Sequence, residues 1–400
     1  LALGTAVVVR VISLLLVANV QWSDFACYDE MAWDWAQKGG YYNGEHPTGY
    51  WPPAHPFFLS RLYLVFGHHI LAGLVANIVF GAITVWLSYM IARRVWNESV
   101  ARWTALIMAL LPSQVLFTNL LASEHLFTPL FLTSVLLFIT FRDRLTGRWQ
   151  RVLIGGLCLG LATLARPVSK LFLAVIIAWW IWQSRDIRRT VKYSLVALFA
   201  FAVVVAPWMA RNYYVMGTAT VSTNTGINLF IGNQPGSGMG YNTDLALEYD
   251  VNNPLMEAYI DSAAWSRAWD YIFEEPGQFV KRGVMKVAFF YAVDLDPLHY
   301  DLLRAAEEET YNHSIPLAVF VQSFYLVLLL TAAAGIVLCL VKPSLRKPEI
   351  WPLLGAIVYW TGICFFFFAT SRFRLPIFPF LAGFAAVYIK MAVDKLPPNR

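Results

Sequence analysis

Residues 71–94 read LAGLVANIVFGAITVWLSYMIARR. This run is unbroken by charge for about twenty residues, the length an α-helix needs to cross roughly 30 Å of hydrocarbon, and Arg93 and Arg94 then stop it. In lipid every backbone polar group must be satisfied within the segment, so such a run is a spanning helix. Nine further blocks of the same kind lie on either side. The expected spans are 1–20, 71–92, 99–118, 124–141, 152–165, 169–183, 193–210, 315–341, 350–369 and 375–393. The shorter blocks 152–165 and 169–183 also suit a buried hairpin. Composition agrees: 58% of the 400 residues are hydrophobic and 14% charged, against roughly 25% charged in ordinary soluble proteins. Disorder, a collagen-like chain, a disulfide scaffold and a lone membrane anchor on a soluble enzyme are excluded. The expected fold class is an all-α polytopic membrane protein. No small-residue cleavage site follows residues 1–20, so no cleavable signal peptide is expected; the absence of an initiator Met suggests a missing cytoplasmic segment.

Placing the spans sorts the charges. One set of loops holds Arg93 and Arg94, then Arg142, Arg144, Arg148 and Arg151, then Arg185, Arg188, Arg189 and Lys192, then Lys342, Arg346 and Lys347. With Arg10, Arg102, Lys390, Lys395 and Arg400 added, this side carries 18 of the 30 Lys and Arg but only 5 of the 25 acids. By the positive-inside rule it is the cytoplasmic side. The net charge of +5 is therefore a topology signal rather than a nucleic-acid patch. The other side has all seven His, 20 of the acids and two long loops, 21–70 and 211–314. Chemistry is expected there, at an exterior face. Cys158, Cys339 and Cys364 lie in apolar blocks and only Cys27 in an outer loop, so no exterior disulfide is expected.

In the first outer loop, a short amphipathic helix is expected over Asp29–Lys38, stopped by Gly39 and Gly40. The prolines of Trp51-Pro52-Pro53-Ala54-His55-Pro56 forbid regular helix there and should form a turn into a second interfacial helix. Asp29 and Glu30 form an acid pair just past a span. They suit a general base or an anionic metal site, and equally a helix start that favours negative charge. Glu124, with His125, stands at the outer end of an apolar helix behind the Ser123 cap. It reads as a helix-start acid or, beside Asp29 and His55, as part of a substrate or divalent-metal site; no spacing is specific for a metal.

Cations on the outer side run against the topology bias. Arg372 and Arg374 immediately precede Pro376 at the start of the last span, where the helix dipole is already positive, so a bound phosphate would resolve the conflict; snorkelling to headgroups is the bland alternative. Arg166, followed by Pro167 and Lys170, suits the mouth of a lipid-phosphate groove or a plain hairpin. Arg211 reads as an interfacial stop. The segment 222–241 is rich in Gly and Asn but lacks the Lys and Ser/Thr of a nucleotide loop. Asn224, Asn228 and Asn233 suit sugar hydroxyls, and a compact structural loop fits as well. Beyond it, interfacial helices are expected with a break at Glu275-Pro276-Gly277.

The order of these features resembles one family. An apolar span, Asp29-Glu30, Gly39-Gly40, Pro52-Pro53 with Pro56, Ser123-Glu124, Ala165-Arg166-Pro167, Pro207-Trp208 with Arg211-Asn212, Asn228 through Asn233, and Arg372 through Pro376 follow one another as in the family 39, or protein-mannosyltransferase-like, glycosyltransferases of the GT-C fold. The resemblance covers nearly the whole chain; each motif is weak alone, and their order carries it. It implies a single GT-C domain over 1–400, with no soluble C-terminal domain. It also implies an inverting membrane enzyme, placed in a bacterial inner membrane, that moves a sugar from a polyprenyl-phosphate donor to a lipid, glycan or protein acceptor on the exterior face. The first-loop acid, Asp29 with Glu30 beside it, maps onto the base. Arg372 or Arg374 maps onto the lipid-phosphate group, with Arg166 and Lys170 as further cations. No cofactor is required, and a divalent metal is compatible with the acids. The competing class is a transporter or flippase of lipid-linked sugars. Transporters carry ionisable groups at mid-bilayer depth and repeated halves; here only Arg10 and Arg102 stand as exceptions inside the spans, and no repeat is visible.

Overall fold

In the computed structural model, residues 1–17, 19–140, 148–184, 186–241, 254–298 and 308–394 are described. Arg142, Arg144, Arg185, His299 and part of the second long loop lie outside them. Each apolar block is a helix: α1 (Ala2–Leu16), α4 (Ile70–Val95), α5 (Glu98–Leu110) continued by α6 (Pro112–Leu116), α7 (Ser123–Thr140), α8 (Arg148–Ala165), α9 (Phe172–Gln183), α10 (Ile187–Met216), α15 (Glu308–Val341), α16 (Ile350–Phe366) and α17 (Phe378–Val393). By length and apolarity four of these cross a membrane unaided, and the bent pair α5 and α6 makes a fifth; α1, α8, α9, α16 and α17 are shorter apolar helices. The chain is an integral membrane protein of about ten spans.

The span expected over 99–118 is bent by 55°. Pro112 has no N–H to give, and Leu111 before it is extended at φ −60°, ψ 112°, so the ladder of α5 stops at this point. Its freed carbonyls need a donor, and Arg10 supplies one. Arg10, fully buried in α1, donates Nη1 to Ala6 O (3.1 Å) and Ala109 O (3.4 Å). A cation at a helix C-terminus is favourable by up to about 2 kcal/mol when partly buried. That is a structural use for the one ionised group deep in α1.

The basic ends of the helices gather on one side, where Lys347 Nζ donates to Trp96 O (3.0 Å) and Arg94 meets Glu349 (3.4 Å). At the opposite end, the first long loop folds into α2 (Asp24–Lys38), a two-residue hairpin of β1 (Tyr42–Asn43) and β2 (His46–Pro47), and α3 (Ala54–Phe66). Helix α2 starts five residues earlier than expected and ends as expected, with Gly39 in the left-handed conformation (φ 71°). The second long loop gives α11 (Thr225–Asn233), α12 (Pro254–Glu274), α13 (Pro276–Ala292) and α14 (Asp296–Leu298). The break between α12 and α13 falls at Glu275, as anticipated, while α11 appears where only turns were expected. The bundle centre is aromatic: Phe131 lies 4.9 Å from Trp360 and 4.8 Å from Phe172, ring centre to ring centre. Such buried rings dominate core energetics.

Candidate active site at the bundle mouth

The segment 117–122, between α6 and α7, is one 3-10 turn (Phe117–Asn119) followed by irregular backbone, and it is tied down by side chains from four elements. Gln21 Nε2 donates to Asn119 O (2.9 Å) while its Oε1 accepts from Leu121 N (2.7 Å). Asn77 Nδ2 of α4 donates to Leu120 O (2.7 Å). His55 Nε2 bonds Leu121 O (2.9 Å) and His125 Nε2 bonds Phe117 O (2.7 Å). Both His are buried, and burial lowers the His55 pKa to about 4, so its ring is neutral and Nε2 carries the donated proton. These imidazoles anchor backbone. Among the described residues no three His, Cys, Asp or Glu gather to hold a metal, so the donors anticipated for one do not come together.

That scaffold presents Glu124, only 2% exposed in the first turn of α7. Two guanidinium groups converge on its Oε1: Arg166 Nη1 at 2.6 Å and Arg372 Nε at 3.2 Å. Arg166 follows α8 on an extended backbone before the 3-10 turn of residues 167–169, and also donates to Ser123 Oγ (3.1 Å). Arg372 sits in the 3-10 turn of residues 371–374, with its backbone N–H held by Asp296 Oδ2 (3.1 Å). Its Nη2 reaches across the mouth to Asp24 Oδ2 at 2.8 Å. Phe373 lies under both cations, 5.4 Å from the Arg166 guanidinium and 5.9 Å from that of Arg372. Tyr28, on α2, is buried against the cluster; burial and then Asp24 push its phenol pKa up.

Asp24 was not singled out in the sequence. It opens α2, and the residue before it, Ser23, has the one positive φ (53°) among the described non-glycine residues. Strained backbone of this kind costs of order 1–3 kcal/mol and collects at functional sites. The signal was present as Ser23-Asp24 directly after the first span, the pattern of a helix start.

Asp29 points elsewhere. It accepts from Tyr63 Oη (2.5 Å) and faces His68 Nε2 (3.1 Å), and His68 stacks on Trp33 at 4.7 Å. This group fastens α2 to the corner between α3 and α4, and Glu30 is exposed beside it. Arg374 also leaves the cluster: fully buried, it donates to Asp294 Oδ1 (2.7 Å) and Val293 O, with Tyr325 4.2 Å beneath it. A guanidinium so enclosed is not open to a lipid phosphate. Lys170 is exposed, and Asp261 of α12 is the acid whose charge it feels. Asp261 Oδ1 caps α11 from outside by accepting from Gly226 N (2.6 Å) and Ile227 N (3.1 Å), and burial raises its pKa to about 6. Asn233 is buried and spends its amide on Leu229 O and Phe366 O, so it is structural rather than a sugar contact. Arg211, expected to be a stop, instead pins the first loop by donating to Thr48 O (2.6 Å) and Tyr41 O (3.1 Å).

This architecture is the GT-C fold. Over 98% of the chain it superposes on the oligosaccharyltransferase of Archaeoglobus fulgidus in the apo form, with TM-score 0.57 and 13% identity, covering 51% of that chain. The same enzyme in complex with an inhibitory peptide and a dolichol-phosphate gives 0.54 and 14%, covering 50%. Residues 50–210 match the family described as dolichyl-phosphate-mannose-protein mannosyltransferase. A curated relative, undecaprenyl phosphate-alpha-4-amino-4-deoxy-L-arabinose arabinosyl transferase 1 of Pseudomonas fluorescens, is 29% identical over 176 residues, which is 42% of this chain and 29% of that protein. The chain thus spans under a third of the curated relative and about half of the solved enzymes it resembles.

Proposed function

We propose that the protein is an inverting glycosyltransferase that takes a sugar from a polyprenyl-phosphate donor and gives it to an acceptor hydroxyl or amine at the exterior mouth of the bundle. The observation that carries this reading is the Asp24–Arg372–Glu124–Arg166 chain, which alternates charge at the end of the bundle opposite the topogenic Lys and Arg. The donor already has a good leaving group. The chain must hold that phosphate, offer cations as charge develops on it, and accept one proton from the acceptor. Arg166 and Arg372, fixed by Glu124 and each slightly exposed, take the phosphate role, with Lys170 available at the rim. Asp24 takes the base role in place of Asp29, because it is the first-loop acid that reaches the cluster. In the step, the acceptor oxygen or nitrogen bonds the anomeric carbon as the carbon–phosphate oxygen bond breaks. The electron pair leaves with the lipid phosphate and the proton passes to Asp24. The apolar flanks of the bundle take the polyprenyl chain.

Purified protein in lipid nanodiscs with a radiolabelled polyprenyl-phosphate sugar tests this. Release of free polyprenyl phosphate that D24N abolishes and D29N spares supports the assignment. Bare translocation of the donor without release, or full activity in D24N, overturns it.

A further inference from the structure

A groove with a basic rim lies at the basic end of the bundle, away from the cluster just described. Helices α8 and α10 run parallel and touch closely through Gly156 and Gly160. A Cβ on Gly156 would lie 2.6 Å from Ala197 O, and one on Gly160 2.8 Å from Val204 Cβ. This is the small-xxx-small contact that lets spanning helices approach backbone to backbone. Toward the basic end the small residues give way to Leu153 and Trp149 on α8 and to Val191 and Leu195 on α10, and these, with Phe199, line an open groove with a cavity volume of about 610 Å³. Its floor is apolar, and its rim carries two cations, Arg188 and Lys192. Among the described residues no acid lines the groove. Asp186, a described acid close in sequence to its rim, is used as the cap of α10 by accepting from Arg189 N (3.0 Å). Trp149, half exposed at the same level, is the residue type that favours the headgroup layer.

We propose that this groove binds one anionic glycerophospholipid, with the phosphate on Arg188 and Lys192 and one acyl chain along Val191, Leu195 and Phe199. Positive-inside topology explains basic residues at this end but not their place on the rim of an apolar groove. A zwitterionic lipid would bring a choline or ethanolamine cation against two others, so charge complementarity selects the anionic headgroup.

The test uses the full chain in detergent, with dioleoyl-phosphatidylglycerol and dioleoyl-phosphatidylcholine added separately and bound lipid counted by native mass spectrometry. One phosphatidylglycerol should be retained in preference to phosphatidylcholine. R188A/K192A should weaken that binding about thirtyfold, as expected for two basic side chains near an anionic headgroup. L195W, which fills the floor and leaves the charges, should weaken it as well. K342A/R346A, which removes two basic residues of the same side outside the groove, should leave it unchanged. Equal retention of both lipids, an unchanged R188A/K192A, or an equal loss in K342A/R346A would each overturn the proposal.

Discussion

Replacing Glu124 by Gln keeps the shape of the side chain and removes the charge that both guanidinium groups share. At 2.6 and 3.2 Å, with an effective dielectric of about 20, each attraction is roughly 5–6 kcal/mol before desolvation. Most of that is offset by the cost of burying the ions, and breaking a buried pair from one side leaves a net loss of about 3–5 kcal/mol. Asp24 still neutralises Arg372, so the lower end, about 3 kcal/mol, is expected in thermal unfolding. Function should divide. The cluster goes from two cations and two acids to an excess of one cation, so free polyprenyl phosphate should bind about fivefold tighter, as roughly 1 kcal/mol of added attraction implies. The guanidinium groups also lose the carboxylate that aims them, and misplacement by about 1 Å costs on the order of a hundredfold in rate. E124Q should therefore show a lower KM and a kcat reduced about a hundredfold in the nanodisc assay. R372A should lose phosphate binding outright. If E124Q binds polyprenyl phosphate as poorly as R372A does, Glu124 contacts the substrate instead of orienting the cations, and the reasoning fails.

Other perturbations separate the site from its supports. R374M leaves Asp294 buried without its partner and should lower stability by about 3–5 kcal/mol, while the folded fraction keeps its affinity for polyprenyl phosphate; a selective loss of that affinity would return Arg374 to the phosphate site. S23G relieves the positive φ at the start of α2 and should raise stability by roughly 0.5–1 kcal/mol, read as a higher unfolding midpoint; a lower midpoint would mean that the serine side chain holds the turn. Asp261 has a folded-state pKa raised to about 6, above its unfolded value near 3.9. The folded state therefore binds its proton more tightly, and stability should fall as pH rises from about 4 to 6 and then level off. D261N keeps the acceptor oxygen for Gly226 and Ile227 and should remove this slope; an unchanged slope in pH-dependent unfolding would assign the effect to another group.

The apolar helices were legible in the sequence because a bilayer leaves so little choice: each block became a helix, most with limits within a few residues, while α10 and α15 extend six or seven residues beyond their apolar blocks. What the blocks did not disclose was the bend at Pro112, since the run 99–118 is continuous in hydropathy and only the proline's missing N–H breaks it. Which acid of the first loop meets the arginines was not legible for a different reason. Asp24 and Asp29 are five residues apart, roughly 140° around a helix, so only one of them can face the cluster. A helix beginning only at Asp29 would leave Asp24 outside that geometry, whereas α2 begins at Asp24. Arg372 and Arg374 were likewise grouped by proximity, although two residues apart on a tight turn they diverge. One meets Glu124 and Asp24, and the other is enclosed with Asp294. His55 and His125 invited a ligand reading because imidazole is versatile; the carbonyls of an irregular segment, which no hydropathy pattern reveals, claimed both.

The four residues of the cluster come from positions 24, 124, 166 and 372, and each stands at a helix boundary: the first residue of α2, the first turn of α7, the residue after α8 and the turn before α17. Inside hydrocarbon the backbone must be helical, and side chains must be apolar or fully compensated. Irregular backbone is tolerated only where polar groups satisfy it, and here Gln21, Asn77, His55 and His125 do so for residues 117–122. A place that can hold irregular backbone can also hold charge, because the same donors and acceptors serve both. The first turn of α7 follows directly from the segment those side chains fix, so Glu124 inherits its position from them. Weakening that lashing should consequently loosen the cluster without touching it. N77A removes the donor to Leu120 O and leaves every charged residue in place. It should lower kcat with little change in polyprenyl-phosphate affinity, and loss of affinity with kcat retained would separate the scaffold from the site.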